Sequence, residues 1–270
     1  MRIAHVVDYL MPILGYQEYL LPKWNARHGH DVHIVTCDRY APVPDYEQTW
    51  GPLLGDRVLT PGSVRQDELW VHRMPIGGEF KGRPWIKGLK AKLAELDPDV
   101  IFGHGTGSLT ALRIGPIAHR LGLPLLIDCH MTLGVMNTRL LGRAYYAALR
   151  WAMRRLAAQN TYRFCGVAQE CCDYLLDVER LPADKIVLLP IGVDMELFSF
   201  DAQLRRALRD GHGIPRQATV VMQTGKLSPV KGPHWLAEAA APLMREDPGR
   251  WLVFVGAGDE EYLRTVRAPL

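Results

Sequence analysis

Residues 2–36, RIAHVVDYLMPILGYQEYLLPKWNARHGHDVHIVT, decide the fold class. The runs Arg2-Val7 and Asp31-Thr36 are short, apolar and rich in β-branched residues, as strands buried on both faces are. Between them, Tyr16 to His28 reads as a helix. Strand, helix and strand in that order make a βαβ unit, and repeating it builds a parallel sheet covered on both faces. The pattern does repeat. Candidate strands follow at Leu69-Arg73, Val100-Gly103, Leu125-Cys129, Arg163-Val167 and Ile186-Leu189. Helices are expected near Ile86-Leu96, Gly107-Leu121, Thr138-Ala158 and Gln169-Leu176. Cys37 to Gly62, rich in Pro and Gly, reads as a long surface loop rather than an element.

After Pro190-Ile191-Gly192-Val193-Asp194 the pattern restarts. A polar, Arg-rich connector runs to about Arg216, then come a strand Thr219-Gln223, a helix from about Pro233 and a strand Trp251-Val255. The class is therefore α/β with two Rossmann-like domains, expected at residues 1–195 and 196–270. A doubly wound sheet needs several more strands than the second stretch supplies. The second domain is thus expected to be only partly present, through a truncated frame or because a second polypeptide completes the sheet.

Composition agrees with one full core and part of another: 270 residues, 48% of them apolar. The formal net charge of +3 argues against a uniformly basic nucleic-acid binder. Cys37, Cys129, Cys165, Cys171 and Cys172 form no C-x-x-C pair and are too sparse for a disulfide framework, so a reducing cytoplasm is expected. His5 and Asp8 interrupt the apolar N-terminus, and no small-residue cleavage pattern follows, so it reads as a buried strand rather than a signal peptide. An uncharged apolar run of membrane-spanning length is lacking.

In open α/β sheets ligands sit beyond the carboxyl ends of the strands, where loop glycines and helix N-termini expose backbone N–H groups. Three loops qualify. Asp8 to Tyr16 carries Gly15 just before a helix, where it either admits a phosphate to the backbone or merely relieves a turn. Gly225-Lys226-Leu227-Ser228-Pro229-Val230-Lys231-Gly232 places two lysines between two glycines. A lysine is a point charge on a long stem, suited to a diphosphate, although charge alone does not separate this from a solvated loop. The order is not that of a Walker P-loop. Val255-Gly256-Ala257-Gly258 is half of a dinucleotide fingerprint, with a simple turn as the alternative.

His104 and His130 each follow a strand directly, so both are expected at the carboxyl edge of the first sheet. There a histidine can donate to a sugar hydroxyl or take part in proton traffic, or it can be a satisfied structural group. His28, His30 and His33 straddle a helix end and a strand and do not form a zinc set, so no metal site is expected. Asp97-Pro98-Asp99 lies at the amino edge and reads as a turn. Arg139, Arg143, Arg150, Arg154 and Arg155, with Tyr145, Tyr146 and Trp151, make a basic aromatic stretch that suits either a solvated helix face or an anionic membrane surface. Lys81, Arg83, Trp85, Lys87, Lys90 and Lys92 make a second.

Taken in order, these segments resemble the retaining glycosyltransferases of GT-B fold, specifically the large family four. The marks are Arg2-Val7 with the Gly15 loop, Arg27-His28-Gly29-His30-Asp31-Val32, Pro98-Asp99-Val100 leading to His104, and His130. To these are added Ile191-Gly192-Val193-Asp194 with Phe198, Gly225-Lys226-Leu227 with Lys231-Gly232, and Val255-Gly256-Ala257-Gly258. The resemblance covers the whole chain. It implies a hexosyltransferase-type enzyme that moves a sugar from a UDP- or GDP-sugar donor to a glycan or lipid-linked acceptor, with retention and with no metal or other cofactor. It also implies donor contacts at Gly15, Lys226 and Lys231 and a catalytic, sugar-contacting histidine at His130. The cysteine usage makes a cytoplasmic place the expectation, and the basic stretch Arg139-Arg155 allows peripheral contact with the inner face of an anionic membrane as the alternative to a solvated face. Acceptor choice is expected to lie in variable loops such as Cys37 to Gly62.

Three departures from the family pattern stand out. Lys226 replaces the usual arginine and gives up bidentate phosphate contact. Tyr16 stands where a second glycine is frequent. The paired donor-binding glutamates would fall beyond Leu270, so little or no transferase activity is expected of this chain alone. The alternative is a non-catalytic nucleotide-sugar-binding or partner subunit completed by another chain; a GT-B epimerase fits the two lysines poorly.

Overall fold

The computed structural model describes residues 1–80, 82–132, 147–148, 150–155, 158 and 162–270. The chain divides into two compact units, Met1–Gly192 and Val193–Leu270, against the boundary after residue 195 expected from sequence.

In the first unit the strands are β1 Arg2–Val6, β2 Asp31–Cys37, β3 Gly62–Gln66, β4 Leu69–Met74, β5 Ile76–Phe80, β6 Arg83–Ile86, β7 Val100–Gly103, β8 Leu125–Cys129, β9 Tyr162–Gly166 and β10 Ile186–Leu188. Eight of them form one sheet in the order β10-β9-β8-β7-β1-β2-β4-β3. Its neighbours pair in parallel except β3, which runs antiparallel to β4 at the edge. Side chains alternate across the strands, so two cores result. Ala4, Val6, Ile101, Ile114, Leu125 and Phe164 pack on one face, where the helices Leu89–Leu96 and Leu109–Leu121 contribute. Val7, Ile34, Val71 and Tyr19 of the helix Gln17–Arg27 pack on the other.

Two expectations are corrected. The sheet is not wholly parallel: β3 is exposed along nearly its whole length, and a polar edge strand with Ser63, Arg65 and Gln66 carries no apolar run to betray it. Cys37 to Gly62 is not featureless, since it holds the one-turn helices Tyr46–Thr49 and Gly51–Leu54, with Tyr46 buried and its hydroxyl donating to the Gly55 carbonyl. The second basic stretch falls partly on β6, of the β5–β6 hairpin, where the Arg113 guanidinium lies 4.0 Å over the Trp85 ring. Of the helix expected over Thr138-Ala158, residues 147–148 and 150–155 are helical; Arg139, Arg143, Tyr145 and Tyr146 lie outside the described residues. Among the described residues no helix is long and apolar enough to cross a membrane.

The first sheet buries histidines in pairs. His72 on β4 bridges Ser63 Oγ at 2.7 Å and His33 Nδ1 at 2.9 Å. Burial, then the neighbouring His33, lowers His72 to about 4. A base whose folded value lies below its unfolded one stabilises the fold above the unfolded value, near 6.5, and that contribution fades as pH falls toward about 4. The stability gap between the protein and its His72→Asn variant should therefore narrow as denaturation is repeated from neutral pH down to about 5. A gap that widens would contradict the buried neutral pair.

The second unit holds β11 Thr219–Thr224 and β12 Arg250–Val255, parallel over six residue pairs, with the helices Ala202–Gly211, Pro233–Glu246 and Glu260–Arg267. The side chains of Asp201 and Asp259 cap two of these helices by accepting from backbone N–H groups of the first turn.

Candidate functional site

At the carboxyl edge of the first sheet, neighbouring strands bring side chains together by register. Gly103 of β7 pairs with Ile127 of β8, so the next residue of each, His104 and Asp128, meet. His104 Nδ1 stands 2.7 Å from Asp128 Oδ2, and the Gly105 N–H donates to Asp128 Oδ1 over 2.6 Å. His5 of β1 continues inward, its Nδ1 3.2 Å from His104 Nε2 and its Nε2 3.1 Å from Asn25 Nδ2 on the helix Gln17–Arg27. His130, whose side chain remains 44% exposed, has Nε2 3.6 Å from the same Asp128 oxygen.

These contacts set the electrostatics. Burial alone would raise the Asp128 carboxyl, but His104 and His130 hold it well below the usual carboxylate range. Contact with that carboxylate raises His130 above the ordinary imidazole value; burial opposes this, and Glu18 adds a smaller rise. Burial, then His104, pushes His5 well below it.

His130 opens on a cavity of about 350 Å³ lined also by Asp8, Arg83, Gly105, Thr106 and Ser108. Ser108 caps the helix Leu109–Leu121, accepting from the Ala111 N–H, so that helix directs its positive end toward the same loop. Asp8 lines this cavity and a neighbouring one of about 220 Å³ shared with Tyr9, Tyr16 and Glu18. Burial pushes the Asp8 carboxyl up to about 6, against the neighbouring Thr110 hydroxyl and the pull of Arg83 and Arg113. Its Oδ1 is buried with no hydrogen-bond partner among the described residues.

Gly15 ends a short 3-10 turn, Pro12–Leu14, in the left-handed region at φ 60°. Its own N–H bonds the Pro12 carbonyl, so donors for an anion there would come from the first turn of the helix Gln17–Arg27 rather than from Gly15 itself. His104 is 7% exposed and lies in the sheet edge, where it supports Asp128. His28 bonds the Trp24 carbonyl and His33 faces His72, so those histidines point to separate places. Asp97 closes the helix Leu89–Leu96 in a left-handed turn, and Asp99 Oδ2 accepts from the Arg2 N–H at the amino edge.

In the second unit the loop after β11 is pinned at its centre. Leu227 is buried and its N–H donates to the Ala257 carbonyl over 2.8 Å, while the Gly225 N–H donates to the Val255 carbonyl over 2.9 Å. Lys226 and Lys231 on either side are exposed. Gly232 turns at φ 66° and leads into the helix Pro233–Glu246. The Gly256 and Gly258 pair has a purpose inside the protein: Cβ atoms there would lie 1.8 Å from the Gly225 oxygen and 2.4 Å from the Leu227 oxygen. The half fingerprint thus serves the close approach of two loops.

Residues 21–197 match the model described as Glycosyltransferase Family 4. The chain belongs to this family. This family 4 chain is 30% identical over 167 residues to a D-inositol 3-phosphate glycosyltransferase of Kineococcus radiotolerans, covering 60% of the chain and 37% of that relative. It is 26% identical over 275 residues to the UDP-Gal:alpha-D-GlcNAc-diphosphoundecaprenol alpha-1,3-galactosyltransferase of Escherichia coli, covering 98% of the chain and 64% of that relative. The chain therefore spans less than two thirds of the length of these relatives. Among solved structures, Anabaena Alr3699/HepE in complex with UDP matches with a TM-score of 0.66 at 16% identity, covering 100% of the family 4 chain and 65% of HepE. That likeness shows the fold, which is the GT-B glycosyltransferase fold expected from sequence.

Asp128, His5, Asn25 and Asp8 are the site residues that sequence reasoning missed. A carboxylate inside an otherwise apolar parallel strand, LLIDC, is the signal that points to Asp128.

Proposed function

We propose that this chain forms part of a hexosyltransferase that moves a sugar from a nucleoside-diphosphate-sugar donor to a glycan or lipid-linked acceptor with retention of configuration. The observation that carries the proposal is the exposed Lys226 and Lys231 on a pinned strand-to-helix loop of a family 4 chain. Fixed cations at that place neutralise the charge that develops on a departing diphosphate. In the first unit, His130 offers an imidazole to a sugar hydroxyl from its cavity, and the first turn after Gly15 offers N–H groups to an anion. The acceptor hydroxyl attacks on the face the diphosphate leaves, and neither a metal nor another cofactor is called for. The HepE structures hold UDP, in one case with glucose, and the Escherichia coli relative is named for a UDP-sugar donor and a diphosphoundecaprenol acceptor; both support this choice of donor and acceptor class.

The test is calorimetric titration with UDP and GDP beside uridine and guanosine. Diphosphates should bind and the bare nucleosides should bind far more weakly; equal affinities would remove the clamp. A cytoplasmic place, peripheral at an anionic membrane through the basic stretch Arg139-Arg155, belongs to the same proposal. Arg150, Trp151, Arg154 and Arg155 line one open surface cavity, with Arg155 4.4 Å over the Trp151 ring. Flotation with liposomes should depend on anionic lipid, and flotation indifferent to lipid charge would dismiss that contact.

A further inference from the structure

The buried chain Asn25, His5, His104, Asp128 has a direction that follows from which atoms can only donate and which can only accept. An ionised carboxylate only accepts, so His104 Nδ1 carries the hydrogen shared with Asp128 over 2.7 Å. The Asn25 Nδ2 group only donates, so His5 Nε2 accepts it over 3.1 Å and the His5 proton sits on Nδ1. That Nδ1–H then donates to His104 Nε2 over 3.2 Å, where a lone pair remains. All three bonds are made with both imidazoles neutral. A second proton on His104 would set two N–H groups against each other unless the whole chain, Asn25 amide included, turned round.

A carboxylate with 0% exposure is held ionised by the N–H groups it accepts and is favoured further by a cation beside it. Two imidazoles stand against it, His104 and His130. We propose that the chain is polarised from Asn25 toward Asp128, holds His104 neutral, and so makes His130 in the cavity the imidazolium that balances Asp128. Asn25 and Asp128 are then positioning residues for the charge on His130. The charged groups facing His130 from the surrounding elements are Asp128 at the end of β8, Glu18 on the helix Gln17–Arg27, Asp8 after β1 and Arg83 on β6. Asp128 and Glu18 favour the cation, as does Asp8 once it ionises above about 6, and Arg83 opposes it. The place of this cation beside a donor sugar rests on the proposed function; the polarity of the chain does not.

The experiment is nitrogen-15 NMR of the histidine rings in the whole chain, followed from about pH 5 to 9, the range in which imidazoles titrate. In the unmodified protein His104 should show one protonated nitrogen, Nδ1, and His130 should titrate above free histidine. Asn25→Asp replaces a donor by an acceptor and should reverse the chain: His5 protonated at Nε2, His104 at both nitrogens, and the His130 midpoint lowered. Simple charge addition predicts the opposite sign, a raised midpoint. Asp128→Asn should lower the His130 midpoint as well. A doubly protonated His104 in the unmodified protein at neutral pH would overturn the proposal, as would a His130 midpoint unchanged or raised in Asn25→Asp. If either variant fails to fold, the ring pattern of the unmodified protein decides alone. UDP binding, measured separately, reports on the proposed function and leaves this result untouched.

Discussion

Asp128→Ala is expected to cost the first unit roughly 2–5 kcal/mol, the range for breaking a buried charged pair and leaving its partners unpaired. The carboxylate is wholly buried, and its loss strands the Gly105 N–H and the His104 Nδ1–H, which it accepts at 2.6 and 2.7 Å. A domain stabilised by only about 5–15 kcal/mol would lose a large fraction of its margin. Denaturant unfolding followed by a reporter in the first unit measures this. Asp128→Asn keeps an acceptor oxygen and should lose less than Asp128→Ala. A loss below about 1 kcal/mol for the alanine variant would mean that the network contributes little to the fold.

Gly256→Ala should be the most damaging single substitution in the second unit. The added Cβ would lie 1.8 Å from the Gly225 oxygen and 2.8 Å from the Gly225 carbon, both backbone atoms. Backbone cannot rotate away as a side-chain tip can, so the loops must part and stretch the bonds from Gly225 to Val255 and from Leu227 to Ala257. Overpacking of this kind costs roughly 1–3 kcal/mol and more where backbone must move. Lys226 lies between those two bonds, so the Gly225 to Gly232 loop loses its shape along with its stability. Gly211→Ala is the control: it ends the helix Ala202–Gly211, and its Cβ meets nothing within 4 Å. Equal unfolding midpoints for the two variants would contradict the close approach.

The strands that sequence reveals are those buried on both faces. β1, β2, β7, β8 and β9 are continuous apolar runs, because helices cover the sheet above and below, and their ends fall within a residue or so of expectation. β3 and the β5–β6 hairpin escape notice for the converse reason. β3 and β5 are largely exposed, β6 is only four residues long, and Gly62, Gly77, Gly78 and Pro84 interrupt any β pattern. The same contrast governs the site. His130 and the Gly225 to Gly232 loop follow directly on strands, places that the order of elements locates in advance. Asp128 acquires its meaning only from the register of β7 against β8, and Asn25 only from the packing of its helix over β1. Contacts between residues about a hundred positions apart, such as His5 and His104, leave no local trace in the chain.

The proposed role of Lys226 and Lys231 is to hold a nucleotide diphosphate. Calorimetric titration of UDP and GDP into the protein and into its Lys231→Ala variant tests it most directly. A charge-assisted contact contributes about 1.5–3 kcal/mol, so removing Lys231 should weaken the diphosphate roughly tenfold or more. The loss should shrink as salt is raised, because the contact is solvent-exposed. Affinity unchanged by Lys231→Ala would contradict the assignment of this loop.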